Sequence, residues 1–322
     1  MRKFVIKTFQ IAIPLLTTLV ILEVLTLNLP DDSYRVVKNY IENNQDSIEM
    51  IILGSSHNTS GVNPNFINIK SANLANGSQP LEYDNFFVEK YAKELPNLKY
   101  IILEYSYHSL WNNPTSTMSW RGYYYHKYFN CNLNVKKYSI KKISDFLIQP
   151  DRNFERLYDY YFLKGVAMTE NNDTKGWELM DGNFDGRNYE EVLESGEKKY
   201  RNYWKDFYKE ENMDLNIKYL TNIFSICKEN QLKLIVVTPP VFESYSKYIS
   251  HNKYELMQRV IKDFKNKYQF EYYNYFYDDS FKLEDFYNHN HLNSSGSTKY
   301  SLLLNEIFTN SIESSEIDSG DL

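Results

Sequence analysis

The stretch SIEMIILGSSHNTSGVNP, residues 47–64, passes from an unbroken apolar run into Gly54, two serines and a histidine. A serine hydroxyl attacks poorly until a base removes its proton, so the chemistry of such a loop depends on a histidine brought from elsewhere in the chain. His291 is the candidate: it opens HLNSSG within DFYNHNHLNSSGSTKYSLLLNEIF, residues 285–308, a loop that runs straight into the last helical pattern. Ser55 and Ser56 are both eligible as nucleophile on this ground alone. GSSH by itself is also a good turn sequence. Coupled to a distant histidine, with a strand in front of it, it reads as a site. His57 is expected to line the pocket or to cap the next helix. A different chemistry, a zinc centre, would draw on His57, His289 and His291, although no carboxylate or cysteine shows ligand spacing to them.

For either serine to meet His291, the intervening chain must build a scaffold that ends several strands at one edge. The apolar runs IEMIIL (48–53), LKYIILEYS (98–106) and LKLIVVTPP (232–240) read as buried strands of a parallel sheet, with FINIKSANLA and FEYYNYF (270–276) as weaker ones. Helical patterns separate them at about 80–95, 215–231 and 252–268. Alternating strands and helices predict a three-layer α/β fold with sites outside the carboxyl ends of the strands. Residues 108–212 break this rhythm. Their text is aromatic and charged, and an insertion there is expected to form a cap over the site. Trp111, Trp120 and Trp177 either stack on sugar rings or fill a core.

The composition, with 42% hydrophobic and 24% charged residues among 322, is that of a globular protein unusually rich in tyrosine (30) and phenylalanine (19). A net charge of -6 without a basic cluster argues against a nucleic-acid partner. Residues 1–29 differ from the rest. TFQIAIPLLTTLVILEVLTLNL is apolar over about the 20 residues that a bilayer span needs, and Arg2, Lys3 and Lys7 before it predict a cytoplasmic N-terminus with the rest of the chain outside. Pro14 and Glu23 run against a span, and a cleaved signal peptide or an amphipathic helix are the alternatives to an uncleaved anchor. Cys131 and Cys227 sit in unrelated contexts, and the bland reading of Cys227 is a buried thiol. The triplets at Asn58 and Asn293 match glycosylation acceptors only by pattern.

GSSH after the first strand, NLANGSQP after the second, and HLNSSGSTKYS near the C-terminus resemble the SGNH (GDSL-type) hydrolase superfamily, in particular its membrane-anchored envelope members, over about residues 47–310. The resemblance implies a flavodoxin-like parallel sheet, Ser56 as nucleophile rather than Ser55, and His291 as base. It matches Gly54 to the glycine of the first block and Gly77 to an oxyanion-hole donor, and it implies no cofactor. Two positions depart from the family pattern. Asn288 stands where an aspartate usually orients the histidine, with Asp285 as a possible substitute. Glu104-Tyr105-Ser106 replaces the block that supplies an oxyanion asparagine, leaving Ser106 or an asparagine of the cap for that role.

The expected organisation is therefore a membrane anchor (1–29), a linker helix (30–46), an SGNH-like domain (47–310) carrying the 108–212 cap, and a frayed acidic tail (311–322). The resemblance implies an extracytoplasmic esterase or O-acyltransferase acting on acyl esters of envelope or exported polysaccharide, or on a small ester. The competing expectation is a weakened SGNH fold that binds polysaccharide or a protein of an envelope assembly.

Overall fold

The computed structural model describes residues 1–29, 33–112, 120–163, 174–182, 189–206 and 209–318. Chain order gives α1 (Arg2–Leu27), α2 (Ser33–Asn43), β1 (Met50–Leu53), α3 (Ser56–Gly61), β2 (Ser71–Asn73), α4 (Leu81–Glu94) and β3 (Tyr100–Glu104). There follow α5 (Trp120–Phe129), α6 (Asp145–Ile148), α7 (Pro150–Phe162), α8 (Tyr189–Asp206), α9 (Met213–Glu229), β4 (Lys233–Thr238), α10 (Glu243–Ser246) and α11 (His251–Lys265). The chain closes with β5 (Glu271–Asn274), β6 (Phe286–Asn288), β7 (His291–Leu292) and α12 (Ser294–Asp318). It divides into two compact units: Met1–Lys38 with Thr117–Asn171, and Asn39–Ser116 with Asn172–Leu322.

The second unit is built on five parallel strands in the order β2-β1-β3-β4-β5. Ile52 lies beside Ile102, which lies beside Ile235, so the central strands align their branched side chains row by row. One face carries Met50, Ile52, Ile102, Ile235 and Val237 against Tyr300, Leu304, Ile307 and Phe308 of α12. The alternate residues Ile51, Leu53, Ile101, Leu103, Leu234 and Val236 point the other way and are equally buried. On that account these strands read as continuous apolar runs instead of alternating ones. The strand order reverses between β1 and β3, and in open parallel sheets the crevice at the carboxyl ends of such a pair is where ligands bind. Ser56 and Glu104 both emerge there.

The first unit holds α1, α5, α6 and α7. α1 is long and apolar enough to cross a bilayer and runs on through Pro14. Its Glu23 carboxylate is clasped by the start of α6: it accepts from Ser144 Oγ at 2.6 Å, from the Asp145 N–H at 3.0 Å and from the Phe146 N–H at 3.1 Å. Lys127 Nζ stands 3.6 Å from Glu23 and 2.9 Å from Asp145. Leu19, Leu22 and Leu25 of the same helix pack on Phe146, Leu147, Leu157 and Tyr160. Glu23, which as sequence weakens the case for a span, is thus the polar attachment of this unit to its own first helix.

Two expectations change in detail. Residues 117–171 of the stretch expected as one cap group with the N-terminal helix, while residues 108–116 and those from 172 onward group with the sheet. The tail expected to fray is helical as far as Asp318, because α12 continues past residue 311. Cys131 and Cys227 form no disulfide, and both are buried. Burial pushes the Cys227 thiol up to about 12.

In the sheet unit, α8 lies hard against α10 at Gly196, where a Cβ would stand 1.7 Å from the Ser244 carbonyl oxygen. Gly196→Ala is therefore expected to cost at least about 2 kcal/mol by forcing the two backbones apart. Thermal unfolding of the variant checks this, with a fall in Tm of about 5 °C or more expected.

Candidate active site

The loop after β1 is shaped by one carboxylate. Glu104, at the end of the neighbouring β3, is fully buried. It accepts from the Ser55 N–H at 2.6 Å, from Ser55 Oγ at 2.8 Å, from Ser106 Oγ at 2.6 Å and from His57 Nδ1 at 2.9 Å. To bring β1 this close, Gly54 adopts φ +131°, and a Cβ there would lie 2.4 Å from the Glu104 Cβ. Only glycine fits that combination of dihedral and contact. Ser55, with its hydroxyl tied to Glu104, caps α3, and the chain turns so that the next hydroxyl, Ser56 Oγ, points elsewhere.

That hydroxyl meets His291. Ser56 Oγ lies 2.7 Å from His291 Nε2, and His291 Nδ1 lies 2.9 Å from Asn288 Oδ1. The histidine is delivered by the antiparallel pair β6 and β7, in which Asn288 stands opposite His291. Asn293 then starts α12, accepting the Gly296 N–H through Oδ1 while its amide nitrogen donates to the Glu284 carbonyl at 2.7 Å. The Asn290 N–H donates to Asn288 Oδ1 at 3.2 Å, which fixes the oxygen side of that amide toward the ring. His291 Nδ1 must then carry the proton, leaving the Nε2 lone pair facing the serine O–H. This is the tautomer a general base needs.

The remaining candidates divide plainly. Asp285 does not reach the His291 ring: its carboxylate accepts the Lys282 N–H and pairs with Lys299 Nζ at 3.2 Å. Ser106 is not poised as an oxyanion donor through its side chain, because the hydroxyl is spent on Glu104. The Gly54 N–H is likewise engaged, donating to Asp84 Oδ1 at 3.0 Å. Gly77 lies in the turn Asn76–Gln79, which is held to the Gly54 carbonyl through the Asn76 N–H. In that turn the left-handed residue is Ser78, φ 54°, and a Cβ on Gly77 would meet nothing within 4 Å. His289 has Nδ1 on Ser244 Oγ at 2.7 Å and Nε2 on Ser195 Oγ at 3.1 Å, so the alternative trio of His57, His289 and His291 is not assembled. Trp111 is buried, and Trp177 donates its indole N–H to the Ser60 carbonyl at 2.8 Å, whereas Trp120 belongs to the other unit. The acceptor-like Asn58 is fully buried, donating to the Leu53 carbonyl, which leaves no room for a glycan.

Glu104 and His108 are the residues that sequence reasoning missed. An acidic side chain at the end of an otherwise apolar central strand was the available signal, since burying a carboxylate is costly unless it is richly hydrogen-bonded. Burial would raise the Glu104 carboxyl, but the imidazoles of His57 and His108 and the Ser106 hydroxyl overcome it and bring it to about 2. Burial depresses His108 to about 4, against the opposing pull of Glu104. Among the described residues, His57, Glu104 and His108 bring ligand atoms within 4.8 Å of one another, a set chemically able to hold a divalent metal. The carboxylate oxygens are already supplied by O–H and N–H donors, while His108 Nε2 stands 3.9 Å from Glu104 Oε1. A small pocket opens beside it between Gly54, Gln79, Glu104, His108 and Asn112.

No protein-family model matches the chain, and no curated protein matches it. Among solved structures, a Bacteroides fragilis NCTC 9343 protein described as a "putative acylhydrolase" superposes over 87% of this chain and 99% of its own, at 11% identity and a TM-score of 0.38. A likeness of that size carries no argument about fold or activity.

The buried pair predicts an acid-sensitive fold. The folded chain keeps His108 neutral and Glu104 ionised, so stability is complete above about pH 6.5. It falls as the unfolded chain takes up a proton that His108 refuses down to about 4, and falls again between about 4.5 and 2 as Glu104 is protonated. Unfolding temperatures of the detergent-solubilised chain between pH 8 and 4 should show a plateau and then a decline starting near pH 6.5. His108→Gln should remove the upper part of that decline.

Proposed function

We propose that this chain is a membrane-anchored, SGNH-like serine esterase or O-acyltransferase, and that its substrates are acyl esters of envelope or exported polysaccharide. The observation that carries the reading is the alignment of Ser56 Oγ, His291 and Asn288 Oδ1 at 2.7 and 2.9 Å, with the histidine in the tautomer of a base. The strand order β2-β1-β3-β4-β5 supports the flavodoxin-like form of that fold. Ser56 would attack the acyl carbonyl as His291 Nε2 takes its proton. The same nitrogen would return the proton to the departing alkoxide, and water or a sugar hydroxyl would then receive the acyl group from Ser56 by the reverse sequence. The backbone N–H groups of Ser56 and Gly77 would hold the oxyanion. Neither a left-handed backbone nor close packing requires a glycine at position 77, which is consistent with a substrate approaching it. The location rests on α1: Arg2, Lys3 and Lys7 would keep the N-terminus in the cytoplasm and place the sheet unit outside.

The second reading, a binding protein that has lost most of its catalysis, draws on Asn288. An amide orients His291 correctly but brings no charge to stabilise the imidazolium formed during attack. A hydrogen bond to a charged partner contributes about 1.5–3 kcal/mol, so Asn288→Asp is expected to raise the rate about ten- to a hundred-fold.

The test is p-nitrophenyl acetate hydrolysis by the detergent-solubilised full chain. The proposal expects turnover that Ser56→Ala and His291→Ala abolish, and an increase with Asn288→Asp. Absence of turnover together with failure of a fluorophosphonate to label Ser56, in a sample with a normal unfolding transition, would reject the enzyme reading in favour of the binding one.

A further inference from the structure

The unit formed by the first helix and residues 117–171 carries a large apolar surface that none of its described residues covers. α7 buries Asn153 and Leu157 on one side, while Phe154, Tyr158, Tyr161 and Phe162 line up at helical spacing on an adjoining side and stay exposed, Phe162 at 75%. The segment before α6 adds Tyr138, Ile140 and Ile143, at 89%, 60% and 76% exposure. Soluble surfaces rarely gather apolar groups in this density without a purpose.

The position of this surface along α1 indicates what covers it. From Lys3 to Glu23 the helix rises about 30 Å at ~1.5 Å per residue, the thickness of a bilayer's hydrocarbon core. Glu23 is the residue clasped by Ser144, Asp145 and Phe146, and the leucines that pack on α6 and α7 begin at Leu19. The clasp therefore sits at the depth where a spanning α1 leaves the hydrocarbon, and the exposed aromatics lie on the segments just before and just after α6, whose start forms it. Their chemistry suits that depth, because tyrosines and phenylalanines with interspersed cations are what the headgroup boundary accommodates. Lys136 and Lys137 are exposed here, with Lys137 Nζ 5.2 Å over the Tyr138 ring, and Arg152 is exposed on the first turn of α7.

We propose that residues 136–163 form an interfacial platform: α7 and the Tyr138–Ile143 segment lie in the outer headgroup layer of the membrane that α1 spans, apolar side down, with the basic side chains on lipid phosphates. The anchor is then a span plus a surface helix, locked together through Glu23. This rests on the membrane reading of α1, and the experiment separates the two. The full chain is reconstituted in phosphatidylcholine–phosphatidylglycerol vesicles with nitroxide labels on single cysteines introduced at Leu15, Ile143, Phe162 and, as a control on the sheet unit, Lys228. The unsubstituted chain, whose own two thiols are buried, provides the blank. Collision of each label with dissolved oxygen and with a water-soluble nickel chelate is read by electron paramagnetic resonance.

The proposal expects a deep position for Leu15, a shallow lipid position for Ile143 and Phe162 with loss of nickel collisions, and full nickel access at Lys228. Nickel access at 143 and 162 equal to that at 228, with Leu15 still in lipid, overturns the platform and leaves the anchor standing. Low access to both reagents at 143 and 162 means that a protein covers the face, a second copy or another chain, and also overturns it. Leu15 in water overturns the anchor and the platform together.

Discussion

A single buried carboxylate sets the geometry on which the candidate site depends. Glu104 ends the central strand β3 beneath the loop that follows β1, and the hydrogen bonds it accepts come from that loop's Ser55 and His57 and from its own neighbour Ser106. Charge-assisted hydrogen bonds of this kind are short and strong, and an unpaired carboxylate at such a depth would cost several kcal/mol. The loop is therefore held to one conformation. Gly54 supplies the close approach, Ser55 is used up in the clasp, and Ser56 is left to face His291. The two serines of GSSH have separate jobs because one of them satisfies a buried charge.

Much of the scaffold was legible in the sequence. The runs that became β1, β3 and β4 were visible because strands buried on both faces need apolar residues at every position, and the helices between them kept their period. Ser56 and His291 were legible for a different reason: GSSH and HLNSSG resemble a family pattern, which also pointed to position 288 even though an asparagine departs from it there, and the structure brings the three together. What failed followed from side-chain direction. Asp285 is near in sequence but faces Lys299, and His289, two residues from His291, turns to Ser195 and Ser244 because residues 289 and 290 form the turn between β6 and β7, where the two-residue repeat of an extended segment does not hold.

The long aromatic stretch was the least legible part. Composition marked residues 108–212 as different without showing that they contribute to two units, since tyrosine-rich text suits a core, a sugar site and a membrane boundary alike. Glu23 carried a similar ambiguity. As sequence it is a charge in the wrong place, and only the hydrogen bonds from Ser144, Asp145 and Phe146 show what it is for.

The Ser56–His291 contact joins positions 235 residues apart. At ordinary synthesis rates of ~5–20 residues per second, roughly 10–50 s separate the emergence of the serine from that of its base. During that interval the hydroxyl has no partner to activate it, and α12, which buries one face of the sheet, does not yet exist. On the proposed serine–histidine chemistry, the chain would be silent while it is being made. A truncated product ending anywhere before β7 would keep GSSH and remain inert, so reactivity of the serine would itself report that the last strand and helix have closed.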